Sequence, residues 1–339
     1  MPLDIIKKGI REKMDYKKRI LNLIYKISGS SNIIAQENNK VCFMANNDKL
    51  FLISNQKYIT AQIMSQKLDT KIYIVSNKND KFRNKMTKAY GFDSLCLSLE
   101  INPLKFLKSV LGTLTFLLKY NDKTLPSAKI GGIHAGDLIY DTIIRQSKRQ
   151  YTIKSIFRKN VIKEVFLFYF TFYTFSKLIK KYNPEYFIAQ DLVYRDGFMT
   201  RIINAMGAQV ILLTTGRPTI VFEENTDPEN LYFSTAYANE IKKVISSLGN
   251  KWDKEVDDKL NNMFAGEGDW NIKNAYKDKL TLSRQEVLNE MGINNGKKNI
   301  FIMAHCFSDS PHTSGSTVYK DYFHWLVETL KYASRNDKV

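Results

Sequence analysis

The chain has 339 residues, 44% of them hydrophobic and 25% charged, with a formal net charge of +17 at pH 7. That length suits two domains or one large one, and the apolar fraction can bury a core, which excludes a disordered chain. The positive balance leaves three kinds of partner: nucleic acid, an anionic membrane face, or anionic small substrates such as nucleotide sugars. The lysines are spread over the whole length, and no Arg-rich tract or nucleic-acid module is present, so no nucleic-acid partner is expected. Cys42, Cys96 and Cys306 stand apart without CxxC spacing, which fits a reducing cytosol and argues against a disulfide scaffold or a zinc knuckle. The start of the chain lacks a signal-peptide core. The most apolar window, Val165 to Phe175, is well short of the roughly 20 residues that cross a bilayer. A cytoplasmic chain is expected, resting at most on a membrane surface.

In chain order, Ile5 to Ile27 has the spacing of a basic amphipathic helix, packed on a core or lying on a membrane. Lys49 to Ile53 reads as a strand, Tyr58 to Leu68 as a helix and Lys71 to Val75 as a second strand. Asp80 to Tyr90 is helical and Ser94 to Leu99 strand-like; Leu104 to Tyr120 is a helix with Pro103 near its start. A long helix from Val161 to Lys181 ends before Pro184, followed by a buried-type strand at Tyr186 to Ala189. Phe198 to Met206 is a helix stopped by Gly207, and Gln209 to Leu213 is the next strand. Ala236 to Leu248 is a further helix, and Asp253 to Lys279 is a helical or loop connection. Ser283-Arg284-Gln285-Glu286 is a capping box whose helix Gly292 closes. A turn-rich hinge at Asn294 to Lys298 precedes an apolar run read as a strand, Asn299 to Ala304, and a basic-aromatic helix from Tyr319 to Tyr332. Short strands alternating with helices define an α/β chain with a Rossmann-like, mainly parallel sheet flanked by helices.

Motifs for dinucleotide, NTPase, zincin and serine-hydrolase chemistry (GxGxxG, P-loop, HExxH, and GxSxG in its strand-turn-helix setting) are missing. Four polar clusters remain. In the first, Gly131 to Asp141, Asp137 and Asp141 share a helical face at i,i+4, with Arg145 one turn on. The cluster, which includes His134, reads either as an acceptor-binding site or as a capping aspartate plus an Asp141–Arg145 surface pair. The second follows the strand at Tyr186 to Ala189. Asp191 sits where a sheet delivers a general base, and Arg195 or Arg201 suits an anion; equally, Asp191 is a turn residue and Asp196 a helix cap. The third, Thr214 to Pro218, offers the Gly216 amide and Arg217 to a phosphate or carboxylate, or is an ordinary loop. The fourth holds His305, Ser308, Asp309 and His312, read as sugar contacts or as a hydrogen-bonded turn; a third or fourth ligand at fixed spacing is missing, so no metal is expected. The tips carrying Asp137, Asp191, Thr214 and His305 are expected to converge on one crevice.

Three segments together resemble the glycosyltransferases of bacterial capsular and surface polysaccharide biosynthesis. His134 to Arg145 is similar to their GDLIYDxxLR signature, with Ile144 in place of a leucine. Asp191 to Gly207, continuing to Val210, is similar to their strand-helix-strand motif with spaced Asp, Tyr, Gly and Arg. Ala304 to His312 with Tyr319 to Leu330 is similar to AHxFSDxPH…RDYxxWLxETL. The resemblance implies a GT-B architecture, with an acceptor-side Rossmann-like domain over 1–290 and the hinge and first βα unit of a truncated nucleotide-sugar domain over 291–339. A fragment of that kind is expected to be inactive alone. The resemblance also implies transfer of a sugar from a nucleotide sugar, with no cofactor or metal, to a glycan or lipid-linked acceptor, by an enzyme peripheral on the anionic inner membrane. Asp191, Asp309 and His305 are the expected catalytic bases. His134, Asp137, Asp141, Arg145, Arg195, Arg201, Gly216, Arg217, Ser308 and His312 are the expected substrate contacts. Two other classes stay open: a non-catalytic polysaccharide- or membrane-binding assembly protein, and a sugar-nucleotide epimerase-like enzyme.

Overall fold

A computed structural model describes residues 40–45, 51–76, 81–96, 102–147, 151–189, 191–213, 220–226, 246, 251–268, 270–276, 282–293, 300–312 and 318–335. In chain order its elements are β1 (Lys40–Ala45), α1 (Phe51–Lys67), β2 (Thr70–Ser76), α2 (Lys81–Ala89), β3 (Asp93–Cys96) and α3 (Pro103–Lys119). A short 3-10 turn (Leu125–Ser127), β4 (Lys129–Ile130), β5 (Ile133–His134), α4 (Gly136–Gln146), α5 (Lys159–Tyr182), β6 (Tyr186–Ala189) and α6 (Tyr194–Ala205) follow. The chain continues through β7 (Gln209–Leu212), β8 (Ile220–Phe222), α7 (Lys251–Phe264), α8 (Trp270–Tyr276), α9 (Arg284–Glu290) and α10 (Tyr322–Ser334).

Six strands form one sheet in the order β3-β2-β1-β6-β7-β8, parallel throughout except for β8, which pairs antiparallel with β7. The fold is therefore α/β and Rossmann-like, with the strand order reversing between β1 and β6. Side-chain alternation feeds two apolar layers. Cys42 and Met44 of β1, Ile72 and Ile74 of β2 and Ile188 of β6 pack with Tyr58, Ala61 and Met64 of α1 and Met86 and Ala89 of α2. Phe43 and Phe187 point the other way, and Phe175 of α5 lies against both, with ring centroids 6.2 and 6.0 Å away. A central strand buried on both faces explains the unbroken apolar run Val41 to Ala45.

That run is where the sequence reading shifts. Lys49 to Ile53 was expected as the first strand, but Phe51 to Ile53 form the opening turn of α1, and the strand lies at Lys40 to Ala45. Short apolar runs are ambiguous by periodicity alone, and only a neighbour on each side makes one of them a central strand. Asn299 to Ala304 was also expected as a strand, yet residues 300–306 carry no regular pairing, and Phe301 and Met303 are exposed. A strand needs a partner for its backbone, and among the described residues none is supplied. The antiparallel edge strand β8 was not anticipated. The Ser283 capping box forms as expected, with Ser283 accepting from the Glu286 N–H and Glu286 accepting from the Ser283 N–H at 2.6 Å. The basic segment Ile5 to Ile27 and the helix expected at Ala236 to Leu248, except Ser246, lie outside the described residues.

The chain divides into two compact units. The first comprises Met1–Tyr232 and Cys306–His324, and holds the sheet. The second comprises Phe233–His305 and Trp325–Val339; in it Phe264 of α7 and Tyr276 of α8 meet edge to face at 5.4 Å. Residues 306–312 and 318–324, which the sequence assigned to a second domain, pack on α4 of the first unit. No helix among the described residues is long and apolar enough to cross a membrane.

Candidate functional site

Helix α4 is the spine of the site. Its residues Gly136 to Ile144 are all buried, including two carboxylates one turn apart, Asp137 and Asp141. It can lie this deep because Gly136 has no side chain: a Cβ there would sit 1.8 Å from the Leu125 carbonyl oxygen. Gly197 does the same for α6, where a Cβ would meet the Leu192 carbonyl oxygen at 2.1 Å. The glycines thus let the first turn of α4 lie against the 3-10 turn and the first turn of α6 against the backbone that leads into it.

Arg201 of α6 is 2% exposed and grips Asp137 through both nitrogens of its fork, Nη1 to Oδ1 and Nη2 to Oδ2, each at 2.7 Å. Nη1 also donates to the His134 carbonyl at 3.0 Å, and the His134 ring lies 3.4 Å from Asp137. A planar fork matching a carboxylate is the strong form of such a pair, and burial makes each partner depend on the other. One turn on, Asp141 holds His312 through the ring Nδ1 at 2.6 Å and the backbone N–H at 3.3 Å. Burial raises the Asp141 carboxyl above its ordinary range, against the pull of His312. Burial works to lower His312, but Asp141 and then Asp137 outweigh it and the net shift is upward. A raised acid thus faces a raised base, and the contact is an ion pair whenever the His312 ring carries its proton.

Tyr140, between the two carboxylates in sequence, donates to Asp321 at 2.6 Å, and its ring meets that of His312 edge-on at 4.9 Å. Asp321 is fully buried and also takes the His324 N–H at 2.8 Å and contacts its Nδ1 at 2.9 Å. Burial would raise the Asp321 carboxyl, but the hydrogen bonds from Tyr140 and His324 prevail and lower it. The same burial and the Asp321 bond push the Tyr140 phenol far up.

At the exposed rim, Tyr194 donates to Asp309 at 3.2 Å, and the Arg145 guanidinium is 3.6 Å from the same oxygen. The Tyr194 phenol is pushed up to about 12, chiefly by burial. Tyr194 and Ser310 both adopt left-handed backbone, at φ 56° and 44°. Two such non-glycine residues mark strain that the surrounding packing must hold in place.

The structure therefore brings together His134, Asp137, Asp141, Arg145, Arg201, Asp309 and His312. The expected Asp141–Arg145 surface pair does not form: Asp141 turns inward to His312, and Arg145 reaches Asp309 instead. Neither Asp137 nor Asp196 caps its helix, since the cap positions are Ala135 and Val193. Asp191 lies just past β6, beside the point where the strand order reverses, and accepts the Val193 N–H at 3.3 Å. Arg195 turns away to Glu164 of α5 at 3.4 Å. Ser308 is in the turn before the rim, 3.5 Å from the Cys306 sulfur. His305 belongs to the second unit, and Thr214, Gly216 and Arg217 lie outside the described residues.

Sequence reasoning passed over Tyr140, Asp321, His324 and Lys57. Asp321 had a usable signal, a lone aspartate directly before an apolar helix. Lys57 had none: it is buried in α1 and donates to the Ala45 carbonyl at the tip of β1 at 2.9 Å. Among the described residues no group of three or more His, Cys, Asp or Glu side chains is disposed to hold a metal.

Fold and site define a Rossmann-like α/β protein with a buried acid–base cluster knitted from three distant segments. Comparisons with protein-family models, curated proteins and solved structures gave no match.

Proposed function

We propose that the protein is a glycosyltransferase of the GT-B kind, moving a sugar from a nucleotide sugar to a growing surface polysaccharide or lipid-linked acceptor. The observation that carries this reading is the co-location of the three resembling segments. Residues from 134–145, 194–201 and 309–324 interlock through Arg201–Asp137, Asp141–His312, Tyr140–Asp321 and Tyr194–Asp309. Their interlocking supports reading the three segments as parts of one site.

In this reading the buried pairs are the frame and the rim does the chemistry. Arg201–Asp137 locks α4 to α6, so Arg145 and Tyr194, one from each helix, hold Asp309 between them. The Asp309 side chain is 50% exposed and therefore open to an acceptor. A carboxylate there, or Asp191 beside the strand reversal, takes the proton of an acceptor hydroxyl. The hydroxyl oxygen then bonds to the anomeric carbon, the bond from that carbon to the donor phosphate breaks, and the nucleotide leaves with the electron pair. Nearby cationic side chains stabilise that departing charge. His305 is the third candidate base. The positive balance of the chain attracts the anionic donor and an anionic inner-membrane surface.

One observation favours a non-catalytic, polysaccharide-binding role: Asp137, Arg201, Asp141 and His312 are engaged with one another and buried. Product analysis decides between the two. The protein, expressed from the whole reading frame that contains this chain, is incubated with a panel of nucleotide sugars and glycan or lipid-linked acceptors. Nucleotide release with a one-sugar mass gain in the acceptor is the expected result. Acceptor binding without any transfer across the panel would replace the transferase reading with the binding one.

A further inference from the structure

The face of α3 that looks away from the protein carries leucines at a regular spacing. Leu104, Leu107, Leu111, Leu114 and Leu118 recur every three and four residues, which sets them in one stripe about 21 Å long. Each is more than half exposed, and Leu118 is 89% exposed. The opposite face is committed to the body of the protein. Ser109, Thr113 and Phe116 are buried there, Gly112 lies against the Tyr169 ring, and Phe106 meets Phe166 of α5 at 5.3 Å. The helix is firmly built at its start, with Asn102 accepting the Leu104 and Lys105 N–H groups and Pro103 in the first turn. It is thus a rigid element, not a loop that folds away its apolar side. Contiguous exposed apolar stripes of this kind mark interaction surfaces.

We propose that α3 is the surface by which the protein lies on an anionic lipid bilayer. The charges on the helix choose the occupant. All its ionisable side chains, Lys105, Lys108 and Lys119, are cationic, and Lys108 and Lys119 are exposed along one flank of the stripe. Lys123, just beyond the helix, is exposed as well, while the nearby Asp122 is paired with Lys320 at 3.7 Å. Leucines flanked by lysines match acyl chains below and lipid phosphates at headgroup level. A second copy of the same helix would set leucine against leucine but lysine against lysine, with no carboxylate on the helix to answer them. Three lysines within the helix also keep it in the interface plane and not across the bilayer. This placement is independent of the transferase reading, and it would bring the sheet-bearing unit to a surface where lipid-linked molecules reside.

The test is sedimentation of the full chain with vesicles of phosphatidylglycerol and phosphatidylcholine in equal parts, against vesicles of phosphatidylcholine alone. Wild-type protein is expected to pellet with the mixed vesicles only, and less so as salt rises. Leu111→Gln/Leu114→Gln is expected to lower the partition at least tenfold. Lys105→Gln/Lys108→Gln/Lys119→Gln is expected to lower it about fivefold for each lysine removed. Both variants alter partly or fully exposed positions, and unchanged circular dichroism verifies the fold. The comparison with wild type isolates α3 from the basic segment Ile5 to Ile27. Equal partition of both variants and wild type, equal binding to phosphatidylcholine alone, or no binding to mixed vesicles would overturn the proposal. So would a wild-type dimer that Leu111→Gln/Leu114→Gln splits, since the stripe would then be covered by a second copy.

Discussion

Replacing Arg201 by methionine is the sharpest probe of how the site is held together. Methionine keeps much of the side-chain volume but leaves the Asp137 carboxylate, whose side chain is 5% exposed, without its fork. Removing one partner of a buried ion pair costs about 3–5 kcal/mol, because the remaining charge stays buried and uncompensated. The His134 carbonyl loses its 3.0 Å hydrogen bond from Nη1 at the same time. For a cooperative unit of this size that cost corresponds to a fall in melting midpoint of roughly 6–20 °C. Arg201→Lys retains the charge but not the two-pronged geometry and is expected to fall between wild type and Arg201→Met. The companion variant Arg201→Met/Asp137→Leu removes both charges, and most of the loss should return. Thermal and urea denaturation followed by far-ultraviolet circular dichroism read all four proteins. An Arg201→Met protein within about 1 kcal/mol of wild type, or a double variant no better than the single one, would refute the idea that this pair locks α4 to α6.

The Asp141–His312 pair predicts a pH dependence. Because His312 is raised above its ordinary value of 6.5, its contribution to stability is full below pH 6.5 and is lost as pH rises through the folded value. The stability gap between wild type and His312→Gln, measured by urea titration at a series of pH values, should therefore narrow on the alkaline side; a gap independent of pH would count against the ion pair. Asp309→Asn at the rim and Asp191→Asn just past β6 alter half-exposed or partly buried groups. They are expected to cost little in melting temperature but 10²- to 10⁴-fold in sugar transfer for whichever is the base; normal rates in both would remove both from that role. Gly136→Ala is expected to lower stability by several kcal/mol, since its methyl would run into the Leu125 carbonyl, backbone that cannot swing aside. An unchanged melting curve for that variant would show that α4 does not need its close approach.

Much of the frame was legible before folding. The runs Lys71 to Val75 and Tyr186 to Ala189, the helices around Leu104 to Tyr120 and Val161 to Lys181, and the Ser283 capping box all rest on local chemistry. Period, caps and breakers act within a few residues, so a linear sequence carries them. The resemblance also singled out most of the polar residues that meet at the site. The choice between Lys40 to Ala45 and Lys49 to Ile53 for the first strand was not local. It depended on β2 and β6 flanking one run and not the other. The same holds for the site. Asp141 and Arg145 are one turn apart in sequence, and a surface pair between them is the locally sensible arrangement. Only the tertiary structure decided that Asp141 turns inward to His312 and Arg145 outward to Asp309, because their partners come from 164 to 171 residues along the chain. Sequence determined which segments could be helix or strand and which polar types were on hand. Burial, set by long-range packing, determined which of those groups had to find one another, since a charge taken out of water must be paired or neutralised.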